Sequence, residues 1–410
     1  MLIGVLLPAM MRWRLEWLSA LPAARQIAEG DFGIGNAVAG SAIAMVLGFV
    51  AMRQMKAHPG ARAFGYTLYP FVLTYGGLGM VLLFFRADYS RFQILASFAL
   101  TVAWFLWVDR VTARRTIWRL GYLPGISAQS LPRSAQVNWL ALDEATADSR
   151  RIQAADVTGV VADLSAEHSE AWERFLARCA LDGLPVYDLR LVGEWLTGQV
   201  RVEHLSENTL SSTLSRLVYV RVKRLVDLAV VVAAAPVFAL VIAAAAAAVK
   251  LESPGPALFT QKRVGHRGRP FVICKLRSMR VDGPAGEHFT ADLDPRITAV
   301  GAFIRKYRID EFPQIWNILK GEMSWIGPRP EAVALADWYD EEVPFYAYRH
   351  MVRPGITGWA QVNQGYAAKP DAAAEKLRYD FYYIKNLSPW LDLLILAKTA
   401  RTILTGFGAR

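Results

Sequence analysis

Residues 301–330 read GAFIRKYRIDEFPQIWNILKGEMSWIGPRP and set an adjacent carboxylate pair, Asp310 and Glu311, between two groups of cations. Arg305, Lys306 and Arg308 precede the acids, and Arg329 follows them between Pro328 and Pro330, in a turn that cannot be helical. A carboxylate pair can hold Mg²⁺ through hard oxygen ligands, and an Arg in a rigid turn offers a planar fork matched to phosphate oxygens. Together they suggest phosphoryl chemistry. The alternative for the same residues is a solvated helix face with ordinary ion pairs, since neighbours at ~100° on a helix do not point the same way.

Further cations stand in segments that could serve the same chemistry. Residues 271–280, FVICKLRSMR, alternate like a strand and put Lys275 and Arg277 on one face, either converging on a diphosphate or forming an exposed edge. Arg263 lies in a basic and aromatic run after a Pro-Gly-Pro break at 254–256. Arg296 belongs to the rigid turn Asp294-Pro295-Arg296-Ile297-Thr298. Arg353 opens a Gly/Pro loop through Trp359, whose glycines allow backbone amides close to a ligand.

The elements that must position these groups follow from composition. At 410 residues the chain has room for two or three domains, and 54% hydrophobic against 20% charged residues, concentrated in blocks, marks a membrane protein. A net charge of +10, with basic runs beside apolar blocks, suits an anionic lipid surface and phosphate-bearing substrates. No nucleic-acid module is recognisable, so nucleic acid is not an expected partner. Cys179 and Cys274 form no CxxC or Cys/His spacing, so a disulfide framework or structural zinc site is unsupported.

An N-terminal membrane region covers 1–109. Its first apolar run, 1–11, is too short to span and is followed by positive charge, which fits an interfacial or core-packed helix better than a signal peptide. Transmembrane helices are expected at 35–52, 63–85 and 92–108. Their basic flanks, with Arg53, Lys56 and Arg62 and then Arg110, Arg114, Arg115 and Arg119, belong in the cytoplasm and carry everything after 108 there.

Residues 110–206 read as a small cytoplasmic α/β domain, with strands near 137–142, 157–164 and 184–189 and a helix near 167–181. It has no GxGxxG, so a bound dinucleotide is not expected. Residues 207–410 form a mostly helical catalytic domain whose apolar stretch 225–249 carries Pro236 near its middle. Both ends of that stretch are basic, which favours a re-entrant membrane helix broken at Pro236 over a fourth crossing that would put residues 301–330 outside. Ser388 and Pro389 open an amphipathic helix, 390–404, for the core or the interface. The fold class is an α/β membrane protein.

The polar motifs occur in a recognisable order: Lys223-Arg224-x-x-Asp227, Pro254-Gly255-Pro256, Gln261-x-Arg263-x-Gly265, Lys275-x-Arg277-Ser278-Met279, Asp294-x-Arg296-Ile297-Thr298, Asp310-Glu311-x-Pro313-Gln314-x-x-Asn317, Gly327-Pro328-Arg329-Pro330 and Arg353-Pro354-Gly355-x-x-Gly358. Over residues 221–410 the chain closely resembles the bacterial sugar transferases, the monotopic phosphoglycosyl transferases that act on polyprenyl phosphate. The preceding spans and α/β unit look like the N-terminal part of the larger members. One departure is Ala235-Pro236, where members often carry Ser-Pro.

The resemblance implies an enzyme of the bacterial inner membrane that transfers a hexose 1-phosphate from a UDP-hexose to undecaprenyl phosphate and releases UMP. That is the first membrane step of exopolysaccharide, O-antigen or capsule synthesis. By motif position Asp310 would be the nucleophile that carries the sugar phosphate. Glu311, with Asp310, would hold Mg²⁺, and Arg329, Lys275, Arg277, Arg263, Arg296 and Arg353 would serve substrate phosphates. The competing reading is a non-catalytic scaffold or transport accessory that binds polyisoprenoid phosphate. No residue discriminates an axial from an equatorial sugar hydroxyl, and the N-terminal spans and α/β unit offer surface for a homodimer.

Overall fold

The computed structural model describes residues 31–58, 64–113, 118–134, 137–143, 148, 152, 156–201, 217–280, 296–364 and 370–405. The expectations for 1–30, and for Asp294 and Pro295, fall outside them. Two compact units divide the chain, Met1–Thr197 and Gly198–Arg410. The second begins slightly before the boundary expected at 207.

Stretches nearly free of charge become helices because a helix bonds its own backbone without water. In the first unit these are α1 (Asp31–Met55), α2 (Leu68–Phe84) and α3 (Arg91–Ala113). α1 and α3 are long and apolar enough to cross a bilayer. α2, of 17 residues, is preceded by a 3-10 turn, Phe64–Thr67, which extends it towards the ~20 residues a crossing requires. A Cβ at Gly48 would lie 2.5 Å from the Phe71 ring, so the glycine is what lets α1 and α2 touch. The Tyr75 hydroxyl ties α2 to α3 through Ser97 (3.0 Å) and Thr101 (3.1 Å). At the charged end, Asp109 takes both Lys56 and Thr67.

The same unit holds β1 (Trp118–Tyr122), β2 (Val137–Ala141), β3 (Gly159–Ala162) and β4 (Val186–Asp188), a parallel sheet in the order β2-β1-β3-β4. Helix α4 (Glu170–Leu181) crosses from β3 to β4, and α5 (Leu189–Thr197) follows β4 directly. Both faces are covered, as a parallel sheet requires. Val160, Ala162, Trp172 and Phe175 fill one side, and Leu120, Val137, Val161 and Val192 the other. Sequence patterning misses β1, which lies in the arginine-rich flank of α3 and contains Gly121, a weak strand former.

The second unit is built on α6 (Leu217–Glu252), 36 residues with Pro236 inside. Where a break is expected, the backbone stays helical on both sides of the proline. One stripe of α6 packs inward, with Val231 against Phe271, Ile273, Ile318 and Met323, and Val249 against Leu276 and Ile304. Leu225, Val237 and Leu240 on other faces are exposed. An antiparallel hairpin follows, β5 (Leu258–Val264) and β6 (Pro270–Leu276). Then come α7 (Ala299–Lys306), a 3-10 turn Ile309–Gln314, α8 (Ile315–Lys320), β7 (Ser324–Ile326) and α9 (Val333–Glu342). A second 3-10 turn, Tyr346–Met351, leads to β8 (Gly355–Thr357), α10 (Trp359–Asn363), α11 (Pro370–Lys385) and α12 (Pro389–Thr405). β7 and β8 pair in parallel. Ser388 caps α12 by accepting from the Leu391 amide at 3.2 Å. Leu391, Leu394 and Ile395 are fully buried, so this helix packs its apolar stripe into the core.

Candidate active site

The two acids sit on neither a regular helix nor a solvated face. Arg308 adopts φ 54°, a left-handed corner that ends α7, and Asp310 and Glu311 begin the tight turn that leads into α8. A non-glycine residue in that region is unusual and persists only where its surroundings hold it. Beyond the turn, the Asn317 amide donates to the Val272 carbonyl (2.7 Å) and to Glu322 (2.7 Å), stitching α8 to β6.

The turn separates the acids. Glu311 points inward and is buried among three cations: Arg329 Nη2 at 2.9 Å and Lys275 Nζ at 3.2 Å on Oε1, and Arg308 Nη1 at 3.6 Å from Oε2. Burial alone would raise its pKa, but Arg329, Lys275 and Arg308 hold it well below the usual carboxylate range. Asp310 is half-buried, and desolvation followed by the charge of Glu311 pushes it up to about 6. Burial lowers Lys275, with Glu311 opposing. Two neighbouring acids are thus driven apart in acidity, the pattern by which sites assign different roles to like groups.

The other cations expected at the site do not all converge on it. Arg277, two residues from Lys275, turns away: buried, it donates to the carbonyls of Pro254 (2.5 Å) and Ser253 (2.6 Å), closing the C-terminal end of α6. Arg353 donates through Nε to the Gly321 carbonyl at 3.0 Å, behind α8. Arg263 bonds Gln261 (2.7 Å) and the Pro330 carbonyl (2.9 Å). The Arg296 carbonyl accepts from the Arg280 amide at 2.8 Å, in a backbone bridge between Met279 and Ile297. Of the cations expected to serve phosphate, Lys275 and Arg329 therefore meet at the acid pair. Arg308, absent from that expected set, joins them, and only its left-handed backbone reveals why.

Arg329 is held by two loops pressed together. A Cβ at Gly327 would fall 2.3 Å from the Arg353 carbonyl oxygen, so glycine is needed there. The Gly327 amide donates to Thr357 and the Gly355 amide to the Pro328 carbonyl, both at 2.9 Å.

Among the described residues no three His, Cys, Asp or Glu side chains gather to cage a metal. Mg²⁺, however, is commonly held by one or two carboxylates completed by substrate phosphates and water. Asp310 and Glu311 fit that mode, and Glu311 Oε2 is buried with no hydrogen-bond partner.

An acid pair is thus ringed by cations on a body whose longest helix is apolar enough to cross a membrane. Comparison with known proteins supplies the class. The profile described as bacterial sugar transferase matches residues 218–406. A UDP-N-acetylgalactosamine-undecaprenyl-phosphate N-acetylgalactosaminephosphotransferase of Aeromonas hydrophila is 43% identical over 413 residues, covering 100% of this chain and 94% of the relative. A UDP-glucose:undecaprenyl-phosphate glucose-1-phosphate transferase of Caulobacter vibrioides is 43% identical over 187 residues, 45% of this chain and 70% of that protein. The protein of the same description in Escherichia coli is 43% identical over 158 residues, 38% of this chain and 34% of its own length. The chain belongs to the bacterial sugar transferase family, and it is an enzyme.

Proposed function

We propose that the protein transfers a sugar 1-phosphate from a UDP-sugar to undecaprenyl phosphate in two displacements. A carboxylate oxygen of Asp310 attacks the phosphorus that bears the sugar, and the bond from that phosphorus to the bridging oxygen breaks, releasing UMP with that oxygen. An oxygen of undecaprenyl phosphate then attacks the same phosphorus, the bond to Asp310 breaks, and the carboxylate is restored. The observation that carries this reading is the unequal treatment of the two acids. Glu311 is engaged by Arg329, Lys275 and Arg308, whereas Asp310 beside it is half-buried with its pKa raised to about 6, so it is both ionised at neutral pH and less stabilised as an anion.

Arg329 and Lys275 would neutralise the donor's diphosphate, and three cations around two acids leave a positive excess for it. Asp310 and Glu311 would hold Mg²⁺, which when bound supplies further neutralisation of phosphate charge. The relative matched over 100% of the chain is named for N-acetylgalactosamine, while relatives matched over 45% and 38% of it at the same 43% identity are named for glucose. UDP-N-acetylgalactosamine is therefore the first donor to try, followed by UDP-glucose.

Helix α6 is read as entering and leaving one face of the inner membrane, bending at Pro236, with the second unit in the cytoplasm. Support comes from its two ends, which bond the same unit. Lys223 pairs with Asp392 at 2.6 Å near one end, and Glu252 accepts from the Val300 amide at 3.1 Å at the other. Cysteine labelling just after Val249 that reached only externally added reagent would refute this topology.

The decisive assay incubates the protein with UDP-sugar, Mg²⁺ and undecaprenyl phosphate. Wild type should release UMP and Asp310→Asn should not. Equal release from both would remove Asp310 as nucleophile, and none from wild type with either donor would overturn the proposed substrates.

A further inference from the structure

A second buried cluster of charge gathers around the Arg329 turn. Arg349, on the turn Tyr346–Met351, is almost fully buried. It donates to Tyr346 Oη (2.7 Å), to Asp380 Oδ2 (2.8 Å) and to the carbonyl oxygen of Arg329 (2.9 Å). Glu331, just past the Arg329 turn, approaches Arg349 at 3.8 Å and Arg263 at 3.9 Å and is paired with Lys376.

The turn itself explains why such a cluster is needed. Pro328 and Pro330 remove two amide donors, so the turn cannot bond its own backbone and its carbonyls must find donors elsewhere. All three carbonyls from 328 to 330 do: Pro328 takes the Gly355 amide, Arg329 takes Arg349, and Pro330 takes Arg263 at 2.9 Å. Two of the three donors are guanidiniums, and they bond the backbone of the turn while Glu311 bonds the Arg329 side chain. We propose that Arg349 and Arg263 are positioning residues, which clamp the backbone of the Arg329 turn and so aim the Arg329 guanidinium at Glu311.

The geometry distinguishes this role from simple stabilisation. A fully buried ion pair contributes little net stability, because desolvation offsets the attraction. A fork, in contrast, has direction: one guanidinium reaches Asp380, Tyr346 and a backbone carbonyl together, and an ammonium of the same charge cannot reproduce that fan. The clamp acts at one remove, through the backbone of residue 329, and neither arginine needs to meet substrate.

This inference rests on the proposed role of Arg329, and its test is arranged so that the two can fail separately. Full-length protein in membranes, as wild type, Arg349→Lys and Arg263→Lys, is treated briefly with phenylglyoxal, and modification of Arg329 is followed by mass spectrometry. Arg329 should react several-fold faster in either folded variant. In parallel, UMP release is measured for a cycle that combines Arg349→Lys with Arg329→Lys. Each single change should lower kcat/KM by about 10- to 100-fold, the scale of a small misplacement, and the double variant should fall little further, because both act through one guanidinium. Unchanged labelling in both folded variants, or additive losses in the cycle, would overturn the clamp. Faster labelling with no UMP release from wild type would keep the clamp and remove the proposed reaction. Arg263→Lys serves independently if Arg349→Lys does not fold.

Discussion

Phe238 and Phe312 meet edge to face, with ring centroids 4.5 Å apart and planes at 81°. Phe238 lies two residues beyond Pro236 in α6, and Phe312 directly follows Glu311. Trp325 lies against the same Phe238 ring at 5.8 Å. The apolar helix and the acid turn are therefore in contact, and the tilt of the helix is felt beside the acids. Phe238→Ala should cost about 1–2 kcal/mol, the ~0.5–1.5 kcal/mol of an aromatic pair plus lost apolar contact. It should also slow UMP release several-fold, whereas Phe238→Leu should retain most of both. Equal rates for the Ala variant and wild type, in matched membranes, would reduce α6 to an anchor.

Asp310 and Glu311 should respond oppositely to neutralisation. Glu311→Gln takes from Lys275, Arg308 and Arg329 the buried carboxylate they pair with and should destabilise the fold by about 3–5 kcal/mol, as breaking a buried pair does. Asp310→Asn removes a charge that burial and Glu311 already disfavour, so its Tm should match or exceed that of wild type while UMP release disappears. Thermal unfolding of the two variants side by side reads the difference.

The pH dependence follows from the same asymmetry. In the proposed reaction Asp310 attacks as its carboxylate, and its pKa is raised to about 6. The rate of UMP release at limiting donor should therefore rise with pH through about 6 and level off above it. A cation placed next to the acid favours its ionised form, so raising Mg²⁺ should move this acid limb to lower pH. A limb that stays in place as Mg²⁺ is varied would argue against Asp310 as a ligand.

Arg277 and Arg353 should behave as structural residues despite belonging to the ordered motifs. Arg277→Met leaves the carbonyls of Ser253 and Pro254 unpaired, a loss of about 1–3 kcal/mol. Arg353→Met frees the Gly321 carbonyl and should cost less, since that group retains some access to water. Neither should change KM for the UDP-sugar by more than about twofold, whereas Arg329→Met should raise it by at least ~10-fold, about 1.4 kcal/mol of lost binding. A large KM change in the Arg277 variant would return it to the substrate site.

Linear order was enough for the chemistry-bearing segments, because their signals are local. The charge-free spans, the Asp310-Glu311 pair, the proline-locked Arg329 and the Ser388 cap each announce themselves within a few residues. The spans appear as α1, α2 and α3, and the cap appears on α12. Three of the four strands of the sheet were similarly visible from β-branched runs, and β1 was not, because it lies in the arginine-rich flank of α3 and contains Gly121.

The destination of each cation was decided by tertiary structure. Lys275 and Arg277 share a strand face by spacing, yet one reaches Glu311 and the other the end of α6, since a long flexible side chain goes to whichever unpaired oxygen lies within range. Likewise the division between Asp310 and Glu311 depends on Arg308, Lys275 and Arg329, brought together from three segments, and on how much water each acid keeps. Residue types set which charges are available. Burial and distance, which exist only once the chain is folded, set what those charges are worth and which acid the cations hold.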